Sequence, residues 1–287
     1  MSSKTNRAPV LLSAIAVFCA ACAALSGQAP IIIQRPPQTA PPAPKPLTTS
    51  DIIERVKSGD YSGVGLDMIA RANATEAIPA LEEQFAHAQD TEPKVQTLDA
   101  KVPAVDLKNH IASVLVRLGD RNEVYWDFLT ENATRAVESD APDIQHYDQE
   151  GKPFSDPSPA FVAWAESHHL SLEAAEEQGA HDLSAVIFLA ETGDPRAVPL
   201  LRRGLLSSDY YIEAYAAQGL AEAKDADSVP LIVEACRRAP PAWKGGIAQW
   251  LVYFDDPDAQ RAVDQYVPKD LARDLRAEHA KGKTPFS

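Results

Sequence analysis

Three stretches decide the fold: residues 189–201, LAETGDPRAVPLL; residues 220–232, LAEAKDADSVPLI; and residues 251–263, LVYFDDPDAQRAV. They align without a gap at a spacing of 31 residues. Leu189, Leu220 and Leu251 coincide, as do Asp194, Asp225 and Asp256. So do Ala197, Ser228 and Ala259, and Leu201, Ile232 and Val263. Self-similarity at a fixed period of this size is the mark of stacked supersecondary units. From Thr48 onward the sequence is rich in Ala, Leu, Glu and Arg and lacks long Val/Ile/Thr alternations, so each unit is expected to be helical.

Each unit reads as two helices around a turn. The first helix ends near the Leu189 column. Asp194 and its equivalents can then accept a backbone N–H as helix caps. Pro195 and Pro257 follow, where a first helical turn tolerates proline. Pro199 falls four residues after Pro195, and Pro230 shares its column in the next unit; a helix-interior proline costs about 3 kcal/mol, so the second helix is expected to restart or bend there.

These segments resemble HEAT repeats, in the short form also found in relatives of phycobilisome lyases. Thr192-Gly193-Asp194-Pro195-Arg196-Ala197-Val198-Pro199-Leu200-Leu201 carries the resemblance. It implies an all-α, right-handed α-solenoid. It also implies protein binding as the commonest role, with a minority of lyases and accessory enzymes. The family usually has Arg twelve or thirteen residues before the turn Asp. Here that column reads Lys108, Asp182, Glu213 and Lys244, which breaks any regular basic ladder.

Weaker copies extend the array toward the N-terminus. Residues 114–120, VLVRLGD, put Asp120 in the Asp194 column, and residues 77–81, AIPAL, mark a degenerate first unit. The expected repeat domain spans 50–268, as about five helix pairs near 50–90, 107–138, 180–206, 209–238 and 241–267. Two irregular insertions interrupt it, at 90–106 and at 139–159. Residues 269–287 are expected to be a polar C-terminal tail. Ser158 and Ser171 are expected to cap two helices after the longer insertion.

Ahead of the repeats, Lys4 and Arg7 precede the apolar run VLLSAIAVFCAACAAL, at 10–25. A basic start, a short apolar stretch and small residues beyond it describe a signal peptide, taken as residues 1–28. The run is shorter than the roughly 20 residues of a membrane-spanning helix. Cys22, after Ala20-Ala21, offers a lipidated variant of the same export route. Residues 29–49 form a Pro-rich linker, expected to be an extended tether. The expected location is the periplasm or envelope, with membrane contact only through the signal segment or the lipid anchor.

The chain has 287 residues, 27 basic and 41 acidic, for a formal net charge of −14. That excess repels phosphate backbones, so nucleic acid is an unfavourable ligand, and a protein partner, preferably basic, suits it better. With the signal removed, Cys236 is the last cysteine, so an intramolecular disulfide has no second member. Its setting in LIVEAC reads as core.

Chemistry is sparse. The sequence holds no Gly-x-Ser-x-Gly elbow, no phosphate-binding glycine loop and no metal-ligand spacing such as HExxH. No catalytic residue, cofactor or metal is therefore expected. Tyr210, Tyr211, Tyr215 and Trp243 are expected to line a protein-binding groove. The alternative is an enzyme or accessory lyase with its site between the 139–159 insertion and the His-containing helices after it, a reading that convergence of His146, His168, His169 or His181 on one pocket would support.

Overall fold

The computed structural model describes residues 48–58, 64–88, 104–144, 154 and 156–286. The signal peptide, Cys22, linker residues 29–47, nearly all of the 90–106 insertion and His146 lie outside the described residues. Among the described residues there is no strand, and no helix is long and apolar enough to cross a membrane.

Thirteen helices are described. They are α1 (Thr49–Lys57), α2 (Val64–Arg71), α3 (Ile78–His87), α4 (Ala104–Arg117), α5 (Glu123–Glu138), α6 (Pro159–Ser167) and α7 (Leu172–Glu191). After these come α8 (Val198–Gly204), α9 (Tyr210–Glu222), α10 (Val229–Arg238), α11 (Pro241–Ala248), α12 (Pro257–Tyr266) and α13 (Lys269–Ala280). Five consecutive pairs, α2/α3, α4/α5, α7/α8, α9/α10 and α11/α12, form the array. The first members pack side by side in the order α2, α4, α7, α9, α11, and the second members cover them. One continuous apolar core runs from Ile52 in α1 to Ala272 in α13.

The turns explain the prolines. Thr75–Ala77, Pro195–Ala197 and Ala226–Ser228 are each a single turn of 3-10 helix, after which the α-helix restarts. Pro79, Pro199 and Pro230 then sit in the first α-helical turn, where a missing N–H costs nothing. One residue ahead of the Asp column the backbone is left-handed: Asn73, Gly119, Gly193 and Lys224 have φ of 49°, 83°, 60° and 56°. That conformation ends the first helix and aims the chain at the second.

Ser158 and Ser171 cap α6 and α7 through hydrogen bonds from Phe161 N and Ala174 N. The two described ends of the 139–159 insertion are pinned together. Ser158 N donates to Ile144 O at 2.7 Å, and Ser158 Oγ to Asp143 O at 2.8 Å. Helix α6 has a small core of its own, Phe161, Ala165 and Ala175, separate from the main one.

The C-terminal region departs from the sequence reading. Residues expected as a polar tail form α13, which buries Ala272 and packs on the 3-10 turn Gln249–Tyr253. Spaced apolar residues among many charges, Leu271, Ala272 and Leu275, give it one packing side. Beyond α13, Gly282 turns the chain with φ of 82°, and residues 283–286 run back over the array.

Candidate functional site

The last residues of the first-layer helices are Arg71, Arg117, Glu191 and Glu222, and Tyr253 ends the 3-10 turn after α11. Arg117, Glu191, Glu222 and Tyr253 each lie three residues before the turn Asp of their own repeat. Arg71 lies the same distance before Ala74, which opens the matching turn of the first unit. Repetition alone thus lines up a five-membered polar row along one edge of the layer.

Two interaction systems share that edge. The first joins α2, α4 and α7. His110 Nε2 lies 3.3 Å from Asp67 Oδ1, and Arg117 Nη1 lies 3.5 Å from Asp67 and 3.6 Å from Glu191. The His110 ring stacks on Phe188, with centroids 4.5 Å apart. Burial pushes the Glu191 carboxyl up to about 7, against the pull of His110 and Arg117. Asp67 goes the other way. Burial raises it, but the hydrogen bond and charge of His110, with Arg117 and Arg71, hold it below the usual carboxylate range. Asp67, His110 and Glu191 each bring a possible ligand atom within 4.8 Å of the others. The Arg117 guanidinium already balances both carboxylates, so a divalent cation there would meet a resident positive charge. The geometry fits a charge hub better than a metal centre.

The second system is the returning C-terminal segment. Gln218 Nε2 donates to Pro285 O at 2.9 Å, Phe286 N to Glu222 Oε2 at 3.3 Å, and Arg71 Nη2 to Phe286 O at 3.4 Å. The Phe286 ring packs against the main core. Tyr253 meets His279 of α13 edge-on, with centroids 5.1 Å apart. A segment from the far end of the chain therefore reaches the first repeat through Arg71 and the fourth through Gln218 and Glu222.

The residues singled out from sequence separate into groups. Trp243 is 5% exposed and buried between Tyr211, at 4.4 Å between ring centroids, and Tyr210, at 6.3 Å. It is a packing residue of α11 against α9, which corrects its expected place on an open binding surface. Tyr210 and Tyr211 pack around it, whereas Tyr215 lies toward Glu191, whose charge adds to burial in raising its pKa.

The turn aspartates also divide. Asp194 accepts from Arg196 N at 2.9 Å, and Asp256 from Asp258 N and Ala259 N at 2.8 and 2.9 Å. Asp120 accepts from Asn122 N, and Asn122 itself caps α5, so the cap there is shifted by two residues. Asp225 makes no cap bond. Its carboxylate grips Arg202 of α8 at 2.9 and 3.0 Å and accepts from Ser228 Oγ, which corrects its expected capping role.

Among the histidines, His168 lies 3.8 Å from Asp140, whose carboxylate also accepts from Trp164 Nε1 at 2.8 Å. An open cleft of about 480 Å³ adjoins them. His181 instead pairs with Glu177, one turn earlier on α7, at 3.8 Å. His169 is exposed, and its backbone N donates to Glu166 O at 3.1 Å. Of the histidines named from sequence, His168 lines the cleft and His169 and His181 do not, while His146 lies outside the described residues. Cys236 is buried, and burial pushes its thiol up to about 12, as a core residue requires.

Of the Lys108, Asp182, Glu213 and Lys244 column, Lys108, Glu213 and Lys244 join neighbouring helices. Lys108 lies over the rings of Phe85 and Phe128, Glu213 pairs with Arg238 at 3.0 Å, and Lys244 donates to Arg237 O at 2.7 Å. Burial pushes Glu213 up to about 7.

Residues 183–207 match the family model described as PBS lyase HEAT-like repeat. The chain carries a HEAT-like repeat. The matched stretch holds the end of α7, the Gly193–Asp194 turn and α8, the segment on which the sequence resemblance rests. No match was found among curated proteins.

Proposed function

We propose that this chain is a non-catalytic protein-interaction scaffold, acting outside the cytoplasm and recognising a partner along the first helical layer. One observation carries the reading. The edge of that layer already holds a stretch of polypeptide, turned at Pro285 and Phe286, with Gln218, Glu222 and Arg71 all bonded to main-chain groups of those two residues. Contacts of that kind bind polypeptide with little regard to side chains, which is what a repeat scaffold offers. The formal charge of −14 favours a basic partner and an association that salt weakens. The signal-like N-terminus supports a place in the periplasm or envelope.

The test is crosslinking of the chain in its native envelope extract at low and at high salt. The expected result is one dominant protein partner, lost at high salt, with crosslinks on the first-layer helices. Capture of no partner at either salt, or crosslinks confined to the second layer, overturns the reading.

The enzyme alternative has one observation behind it, the Asp140–Trp164–His168 group beside its cleft. All three meet open solvent, and Asp140 is 78% exposed. Such a group gains little of the desolvation that sharpens acid–base catalysis, so the scaffold reading is preferred.

A further inference from the structure

We propose that the edge formed by Arg71, Gln218 and Glu222 is a binding site for a Pro–aromatic turn of a partner protein's peptide, and that residues 283–286 of this chain occupy it in cis. The proposal rests on the scaffold reading and names the chemistry of its ligand.

Three features define that chemistry. The hydrogen bonds take the ligand's main chain at both polarities. Gln218 and Arg71 donate to the carbonyls of Pro285 and Phe286, and Glu222 accepts from Phe286 N. Gln218 is 7% exposed, so its amide is a built-in donor that stays buried, and it is costly to leave without an acceptor. Proline suits the first position because it brings no N–H to satisfy and its fixed φ suits the turn at Pro285–Phe286. The aromatic ring at the second position has the edge of the core to pack on. A basic flank is preferred, because Glu222 and Glu278 sit beside the segment in a strongly acidic protein.

The cis segment is tethered by α13, which packs on Gln249–Tyr253. Short tethers give effective concentrations in the millimolar range, so a free peptide must compete with a strong intramolecular rival. The site would therefore look closed to a weak ligand and open only to one that outcompetes the chain's own Pro285–Phe286.

The experiment uses the full chain and a fluorescent peptide, Lys-Gly-Lys-Thr-Pro-Phe-Ser, read by anisotropy. Substitution Phe286→Asp should free the edge and raise probe affinity by about tenfold or more over the unchanged chain. Adding Gln218→Ala should remove that gain. Equal affinity before and after Phe286→Asp, or a gain that Gln218→Ala leaves intact, overturns the proposal. Should Phe286→Asp unfold the chain, the unchanged chain still decides. Excess probe peptide should speed tryptic cleavage after Lys283 by displacing the segment, and an unchanged cleavage rate overturns the proposal. Concentration-dependent dimerisation that Phe286→Asp abolishes would assign the segment to a second copy, and overturns the cis arrangement. Partner capture together with failed peptide binding would leave the scaffold standing and remove this site alone.

Discussion

At the scale of residues, two buried carboxyls set the response to pH. Burial carries Glu191 and Glu213 from 4.5 up to about 7. Each therefore holds its proton more tightly in the folded chain than in the unfolded one. Between about 4.5 and 7 the folded state binds more protons, so stability falls as pH rises through that window. The cost is absent below the window and complete above it. Asp67 and Asp194, held below 3.8, act in the opposite sense but only at lower pH. The chain is thus expected to melt higher at pH 5 than at pH 8. Glu191→Gln should flatten the profile, recovering on the order of 3 kcal/mol at pH 8 relative to pH 5. Parallel melting profiles for the two proteins would contradict this. Packing gives a second expectation. A Cβ on Gly219 would lie 2.6 Å from Ala190 Cβ and 2.9 Å from Ala190 Cα, where α9 crosses α7. Gly219→Ala should cost about 1–3 kcal/mol in denaturant unfolding, although alanine is the better helix former. Such residues were only half legible in the sequence. The row from Arg117 to Tyr253 follows from the same alignment that exposes the leucines and aspartates. Its meaning does not, because the partners Asp67, His110 and Phe286 come from far along the chain, and only packing brings them in.

At the scale of elements, one turn recurs with different residues and different strain. Gly193 and Lys224 occupy the same left-handed position before the Asp column. Lysine pays about 1–2 kcal/mol for that conformation and glycine almost nothing. Lys224→Gly is expected to stabilise the chain by about 0.5–1 kcal/mol, after glycine's larger entropy loss is deducted. Gly193→Ala should do the reverse, since its Cβ would also press on Glu222 Cγ at 3.1 Å. Thermal melts that fail to order the three proteins this way would refute the strain account. The aspartates behind the turn differ just as much. Asp256→Ala should cost about 1 kcal/mol through its lost cap, independently of Arg202. Asp225→Ala should couple to Arg202→Ala in a double-mutant cycle by about 1 kcal/mol, because Asp225 ties α8 to the turn ahead of α10 rather than capping. Sequence located the turn, the helix restart and the two serine caps, since these depend on neighbours a few residues away. It could not tell Asp225 from Asp256, because the choice of Arg202 over a backbone N–H is made between repeats. The same limit explains α13. Its charges read as a tail, and its packing side becomes evident only against Gln249–Tyr253.

At the scale of the whole molecule, the array is one core with one separable part. Leu189, Leu220 and Leu251 belong to a cluster that spans every pair from α2/α3 to α11/α12. Phe161, Ala165 and Ala175 form another cluster, supported by Ile144, Trp164 and Leu170, and α6 packs only on α7 to a significant degree. A repeat array unfolds cooperatively when each unit buries its face on the next. The α6 unit lies outside that chain of interfaces, so its opening does not require the array to open. Amide exchange in Pro159–Ser167 is therefore expected at a free energy well below the global value, while α7 and α9 exchange near it. Phe161→Ala should accelerate exchange in α6 and leave the main melting transition within about 2 °C of the unchanged chain. Leu189→Ala removes a side chain that is 0% exposed at the centre of the array, and should cost about 2–5 kcal/mol in the global transition. The contrast is the discriminating outcome. If Phe161→Ala lowers the global transition as far as Leu189→Ala does, the two clusters form one cooperative unit. The helix after the 139–159 insertion would then be part of the repeat array rather than a flap resting on it.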